Sequence, residues 1–422
     1  MTALRATGIL CGSRWHIRGR PRVRCIVREP APPCRRVRPD VGTTRIGRAM
    51  RSVLLLVTWA FLPLAACSTL KTSEFPTCEA TTIDPDGRPR INIFFATNRM
   101  RAAESATEPL FGFGRSDKVT YGRAVVSLPP DRDREFGSTA GFRILGVELI
   151  DGDAAFSSSL RAAAAAQSMK LAESESLVFI HGYNEDFNRV VFRVAEVVHD
   201  GCLGVVPIMF AWPSRDFLLD YMSDLDSATF SREHLAHVLT LVRDHSGFTV
   251  THVMAHSMGN WIALEALKLV RSEMADRARG PLPRKFGATL LASPDVDLDI
   301  FRQELPAATS TAQSVVLLTS QRDTLLGLSR FLAHGSPRAG DATAEELVAH
   351  HIQEGSNFGI IRMDGPEIGD CVGGSHRCAE TNAIILNRIR LVLEGAKDHV
   401  VAQQAMPPSA KSREELNDGP PR

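Results

Sequence analysis

The sequence predicts an α/β fold built on a mostly parallel central sheet covered by helices on both faces, and three observations carry that expectation. From residue 160 onward, short apolar runs of strand length alternate with longer stretches of helical spacing. The gaps between successive runs are long enough for right-handed crossovers. Before residue 160 the pattern differs: three β-like runs are separated by Gly, Pro and charge clusters, which reads as an N-terminal antiparallel β region.

The elements follow in order. The opening runs are 91–96 (INIFFA), 122–128 (GRAVVSL) and 142–150 (FRILGVELI). The later strands are expected at 177–180, 205–211, 249–255, 287–292, 314–319 and 358–363. Residues 187–198 place Val190, Val191, Val194, Val197 and Val198 close to helical spacing, and 260–270 and 382–393 do likewise. The stretch 217–244 exceeds what a crossover needs, so part of it is expected over the sheet edge as a small cap. One folded domain is thus expected over 91–395, with a polar, Pro-bearing disordered tail over 396–422.

Composition narrows the class. The 422 residues carry 49 Lys plus Arg against 48 Asp plus Glu and are 44% hydrophobic, which excludes wholesale disorder and a collagen-like fibre. The net charge of +1 hides an asymmetry. Residues 1–49 hold twelve Arg, no Lys and only Glu29 and Asp40, a net +10, which leaves −9 on the rest. A nucleic-acid partner would want basic charge on the folded part, and that part is acidic, so none is expected.

The front end reads as a processed leader. Residues 53–66 (VLLLVTWAFLPLAA) form an apolar run behind Arg45, Arg48 and Arg51, too short for the roughly 20 residues a spanning helix needs. Its end, Leu64-Ala65-Ala66-Cys67, resembles the lipobox of bacterial lipoproteins, which implies lipidation at Cys67. A signal peptide over 50–66 and a lipid-anchored linker over 67–90 are therefore expected, with 1–49 either an over-extended translation start, the chain then beginning at Met50, or an unstructured basic extension from Met1. Ser68 after the lipid-bearing Cys points to the periplasmic face of the outer membrane, so the expected partner is a membrane, reached through the anchor. Beyond Cys67, four cysteines remain: Cys371 with Cys378 enclose a short Gly-rich loop that a disulfide could staple, which leaves Cys78 with Cys202. No paired C-x-x-C or H-E-x-x-H is present, so neither metal nor cofactor is expected.

The most informative residues are Ala255-His256-Ser257-Met258-Gly259, between the strand-like TVTHVM and the helix-like NWIALEALKLV. That is the context of a nucleophile elbow, a strained strand-to-helix turn that presents a serine hydroxyl above a sheet. A serine needs a base within hydrogen-bond reach and a carboxylate to orient that base, and on such a fold the chain order is Ser, acid, His. Asp323, after the second strand beyond the elbow, is the expected acid, with Asp295 the reserve. His376, in the loop CVGGSHRC between the last strand and the last helix, is the expected base, with His350 and His351 as rivals. The backbone N–H groups of Tyr183, in His181-Gly182-Tyr183-Asn184, and of Met258 are the expected oxyanion-hole donors.

HGYN, FAWPSR (210–215), AHSMGN, LASPDVD and TSQRD occur in the order found in a family of bacterial α/β-hydrolases of unknown function (DUF900), and over 90–395 the chain resembles a lipoprotein member of it. The resemblance implies an α/β-hydrolase fold and a serine-hydrolase triad, with Ser257 matching the nucleophile, Asp323 the acid and His376 the base. The family typically has Gly-His at the base, whereas this chain has Gly374-Ser375-His376. The expected activity is hydrolysis of a small-molecule or lipid carboxylic ester. A non-catalytic envelope-tethered binding module of the same fold, and an acyltransferase using the same triad, are the alternatives.

Overall fold

The computed structural model describes residues 82–83, 86–102, 110–130, 137–169, 173–215, 220–277 and 285–405, with backbone alone at 82, 277 and 397–405. The basic extension, the leader, Cys67, Cys78 and residues 406–422 lie outside the described residues.

The chain opens with β1 (Thr82–Ile83), β2 (Pro89–Arg101), β3 (Phe111–Ser127) and β4 (Arg143–Ile150), each antiparallel to the next. β2 and β3 run longer than predicted, because the first half of β3 is polar and largely exposed and shows no apolar alternation. A helix that was not predicted, α1 (Gly152–Ser168), follows. It buries Phe156, Leu160 and Ala164 four residues apart, a stripe its exposed alanines conceal.

Six parallel strands come next: β5 (Glu175–Ile180), β6 (Val206–Ala211), β7 (Val250–His256), β8 (Phe286–Ala292), β9 (Ala312–Thr319) and β10 (Phe358–Arg362). The helices between and after them are α2 (Phe187–Asp200), α3 (Tyr221–His245), α4 (Gly259–Arg277), α5 (Leu298–Thr311), α6 (Thr324–Leu332), α7 (Ala344–Ala349), α8 (Cys378–Thr381) and α9 (Ala383–Ala405). The sheet order is β10-β9-β8-β7-β5-β6-β2-β3-β4, with β1 on β2. This is the predicted mostly parallel sheet with its antiparallel N-terminal region.

Successive residues of each inner strand feed opposite cores. Val178, Ile180, Phe210 and Val253 join one apolar cluster with α3 and α4, while Leu177, Phe179, Met209 and Met254 join the other with α2 and α9. Each such side chain contributes about 1.5–3 kcal/mol of burial. Two expectations need correction. Instead of a cap, 221–245 form one helix lying along α4. The tail expected from 396 is helical to Ala405, since no proline interrupts its Ala-, Gln- and Lys-bearing run before Pro407.

What matters for function is that all six parallel strands end at one edge. β5 pairs with both β6 and β7, so the loops after Ile180 and His256 are neighbours, with those after β8 and β9 beside them.

Candidate active site

β7 is buried throughout, and the chain turns sharply at its end. Ser257 has φ +52°, a left-handed conformation rare for a residue with a side chain. The turn is fixed from within: Ser257 N–H donates to Ala292 O at 3.0 Å, and Asn260 Nδ2 donates to both Ser257 O and Ala292 O at 2.9 Å. Sterics explain the glycines. A Cβ on Gly259 would stand 2.3 Å from His181 O, and one on Gly182 would stand 2.9 Å from Ser257 Cβ. Helix α4 can therefore start against the end of β5 only if both positions lack side chains.

His376 lies in a short 3-10 turn (Ser375–Arg377) and is buried. Its Nδ1 is 2.7 Å from Asp323 Oδ2. The other oxygen of Asp323 accepts the N–H groups of Leu325 and Leu326, capping α6. One carboxylate oxygen is thus held by a helix start and the other is aimed at the imidazole. Burial works against the His376 charge, but the hydrogen bond and charge of Asp323, with Glu380 and Asp295 behind, outweigh it and raise the ring above a histidine's ordinary value. His376 also touches the elbow itself: its ring lies 4.7 Å, centroid to centroid, from that of His256, the residue before Ser257. Ser375 follows Gly373 and Gly374, both at positive φ, and its hydroxyl donates to Arg322 O beside Asp323.

The expected oxyanion loop follows β5. Tyr183 sits between Gly182 and Asn184, which takes φ +62°, and the Tyr183 ring meets Tyr221 edge-on at 5.6 Å. Met258 is the last residue before α4, where backbone N–H groups lack intrahelical partners. The loop is braced from below: the His181 ring stacks on Trp212 at 5.0 Å, and Trp212 Nε1 donates to His181 O at 2.8 Å. Arg99 of β2, fully buried and lowered to about 10 mainly by desolvation, donates to Ser214 O and Glu185 O, tying together the loops after β5 and β6.

Residues 158–391 match the family model described as alpha/beta hydrolase of unknown function (DUF900). The chain belongs to this family. The matched span includes Tyr183, Ser257, Met258, Asp323 and His376 and leaves out β1 to β4. Among solved structures the chain is similar to an esterase of Pyrococcus furiosus, at 11% identity and TM-score 0.32 over 65% of this chain and 86% of that one. It is also similar to a fungal esterase of Rhizomucor miehei, at 12% and 0.29 over 66% and 80%, and to an inhibited esterase B of Lactobacillus rhamnosis, at 10% and 0.30 over 76% and 90%. No curated protein matches.

Within this α/β hydrolase the other sequence candidates have different partners. Asp295, the reserve acid, accepts from Tyr221 Oη at 2.8 Å and Ser329 Oγ at 2.6 Å and pairs with Arg338 at 3.3 Å. His350 Nδ1 is 2.9 Å from Asp299 Oδ1 at the end of α7, and His351 follows it at φ +58°. Cys371 and Cys378 form the expected disulfide, with Cα atoms 5.2 Å apart, and Cys202 is also disulfide-bonded. Sequence reasoning missed Asn260, Arg99 and a buried charge cluster on α2. Its signal was present in Arg193 and Glu196, two charges set among Val190, Val191, Val194 and Val197 on an otherwise apolar helix.

Proposed function

We propose that this chain is a serine hydrolase that cleaves a carboxylic ester through an acyl-enzyme on Ser257. The observation that carries the reading is the 2.7 Å bond between His376 Nδ1 and Asp323, in a loop packed against the elbow whose serine stands at φ +52°. With Nδ1–H committed to Asp323, Nε2 is left as the basic nitrogen. His376 takes the Ser257 proton as Oγ attacks the ester carbonyl carbon. The tetrahedral oxyanion is received by the N–H groups of Tyr183 and Met258, which on such sites contribute about 3–4 kcal/mol each. Collapse expels the alcohol, which takes the proton from Nε2, and water then repeats the sequence to release the acid and free Ser257.

The surroundings support an ester with an apolar portion. Immediately after Asp323, α6 turns Leu325, Leu328, Phe331 and Leu332 outward, all about half exposed or more. A lipid on Cys67, holding the domain at the periplasmic face of the outer membrane, would bring such a site to lipidic esters, and we propose that placement as well.

The test is intact-mass analysis after treating residues 68–422 with a fluorophosphonate. A single adduct on the parent and none on Ser257→Ala is expected; no adduct on a folded parent would overturn the reading in favour of a tethered binding module. Adding an acceptor alcohol to the turnover assay separates hydrolysis from acyl transfer, with free acid the expected main product.

A further inference from the structure

His376 is held at more than its ring. Its backbone carbonyl accepts His256 Nε2–H at 2.9 Å and the Ser293 hydroxyl at 3.3 Å, so donors from the ends of two neighbouring strands converge on one oxygen. A carbonyl only accepts, so the proton of a neutral His256 sits on Nε2. Burial keeps His256 below a histidine's ordinary value, which favours that neutral form.

Behind His256 stands a buried set of charges with a reciprocal pattern. Helix α2 offers Arg193 and Glu196, and the segment carrying His376 offers Arg377 and Glu380. Arg193 pairs with Glu380 at 3.2 Å and Arg377 with Glu196 at 3.0 Å, so each side supplies one cation and one anion. Arg193 and Arg377 also pair within their own segments, with Glu196 and Glu380 at 3.0 and 3.3 Å. Glu185, ahead of α2, joins Arg193 at 3.2 Å. His256 Nδ1 lies 3.4 Å from Glu380 Oε1, so the ring is packed between this cluster and the base's backbone. A Cβ on Gly182 would stand 3.1 Å from the same Nδ1, which puts His256 between the oxyanion loop and the base loop.

We propose that His256, seated on the Arg193, Glu196, Arg377 and Glu380 cluster, is a positioning residue for the base. It touches no reacting atom. It fixes the His376 carbonyl, and through it the ring, so that Nδ1 stays on Asp323 and the ring stays packed beside the elbow that carries Ser257. The inference rests on His376 being the general base. A buried ion cluster is poorly explained by stability alone, since apolar side chains of similar volume would do as well or better, whereas cross-paired charges set a single register between two segments. A misplacement of about 1 Å at a reacting group costs on the order of 100-fold in rate.

The test compares the parent with His256→Leu, His256→Gln and Ser293→Ala, reading kcat, KM, thermal midpoint and the pH profile of ester hydrolysis. The charged and titratable groups facing His376 are Asp323, Glu380, Asp295 and His256, none altered except His256. His256→Leu is expected to lower kcat by about 10- to 100-fold with KM within about 3-fold, and to move the acid-limb midpoint to lower pH as the Asp323 bond loosens. His256→Gln, whose amide can still donate to the carbonyl, should recover most of kcat and the parent midpoint. A His256→Leu variant with the parent's kcat and midpoint, or a folded His256→Gln as impaired as His256→Leu, would overturn the proposal. Should His256→Leu not fold, Ser293→Ala decides: a few-fold fall in kcat with the same direction of pH shift supports the proposal, and parental values sink it. A parent that fluorophosphonate leaves unlabelled would remove the serine-hydrolase reading and this inference together, whereas a labelled parent with insensitive variants removes this inference alone.

Discussion

The loops after β8 and β9 start alike and end differently. Each opens with a buried serine, Ser293 or Ser320, and each carries an aspartate three or fewer residues on whose side chain is largely covered, 6% exposed for Asp295 and 0% for Asp323. Asp323 spends one oxygen on the first turn of α6 and keeps the other for His376. Asp295 is saturated by Tyr221, Ser329 and Arg338, and the Tyr221 hydroxyl, pushed up to about 12 by burial and by Asp295, remains a donor at neutral pH. Side-chain burial and position are nearly the same, so neither explains why His376 meets Asp323 and not Asp295. What differs is which donors the rest of the chain delivers to each carboxylate.

Four variants and one pH profile would break or sharpen that contrast. The largest effect is expected from Ser257→Ala, which should lower ester hydrolysis by about 10⁴-fold or more. Asp323→Asn should come next, reducing kcat on the order of 10⁴-fold, because an amide facing Nδ1 favours the wrong tautomer of His376. Asp295→Asn should leave kcat within about 3-fold while urea unfolding records a loss of about 1–3 kcal/mol from the partly unpaired Tyr221 and Ser329 donors and the lost ion pair of Arg338. If Asp295→Asn silenced turnover and Asp323→Asn did not, the two loops would exchange roles.

The pH profile gives a subtler measure. A general base must be neutral, and His376 is raised, so kcat/KM should climb with pH through a midpoint above a histidine's ordinary value of about 6.5. Asp323→Asn should move that midpoint down strongly and Asp295→Asn only slightly, since the bonded carboxylate raises His376 more than the distant one. The smallest effect is expected from Tyr221→Phe, which removes one donor from Asp295 and should cost about 1 kcal/mol of stability with kcat unchanged.

Much of this site could be read before folding. The elbow was legible because its five residues sit between a continuous apolar strand and a helix, a context that small residues make geometrically possible. The contact of His376 with Asp323 was foreshadowed by the loop position of the one and the chain order of the other. By contrast, α1 was hidden by a stripe of alanines, and the polar half of β3 had no alternation to betray it. Asn260 and Arg99 were missed because their partners, the carbonyls of Ala292, Ser214 and Glu185, are distant in sequence and carry no residue-type signal.

The sequence by itself determined the strand and helix alternation, the turn at Ser257 and the short list of candidate acids and bases, since each follows from local periodicity, sterics or chain order. Only the tertiary structure showed that His376 meets Asp323 and not Asp295, and that His256 donates to the His376 carbonyl beside a cross-paired charge cluster. Hydrogen bonds act over about 3 Å, and which groups come that close is settled when 53 residues separate Asp323 from His376, and 120 separate His256 from the same residue, yet the sheet order brings them together.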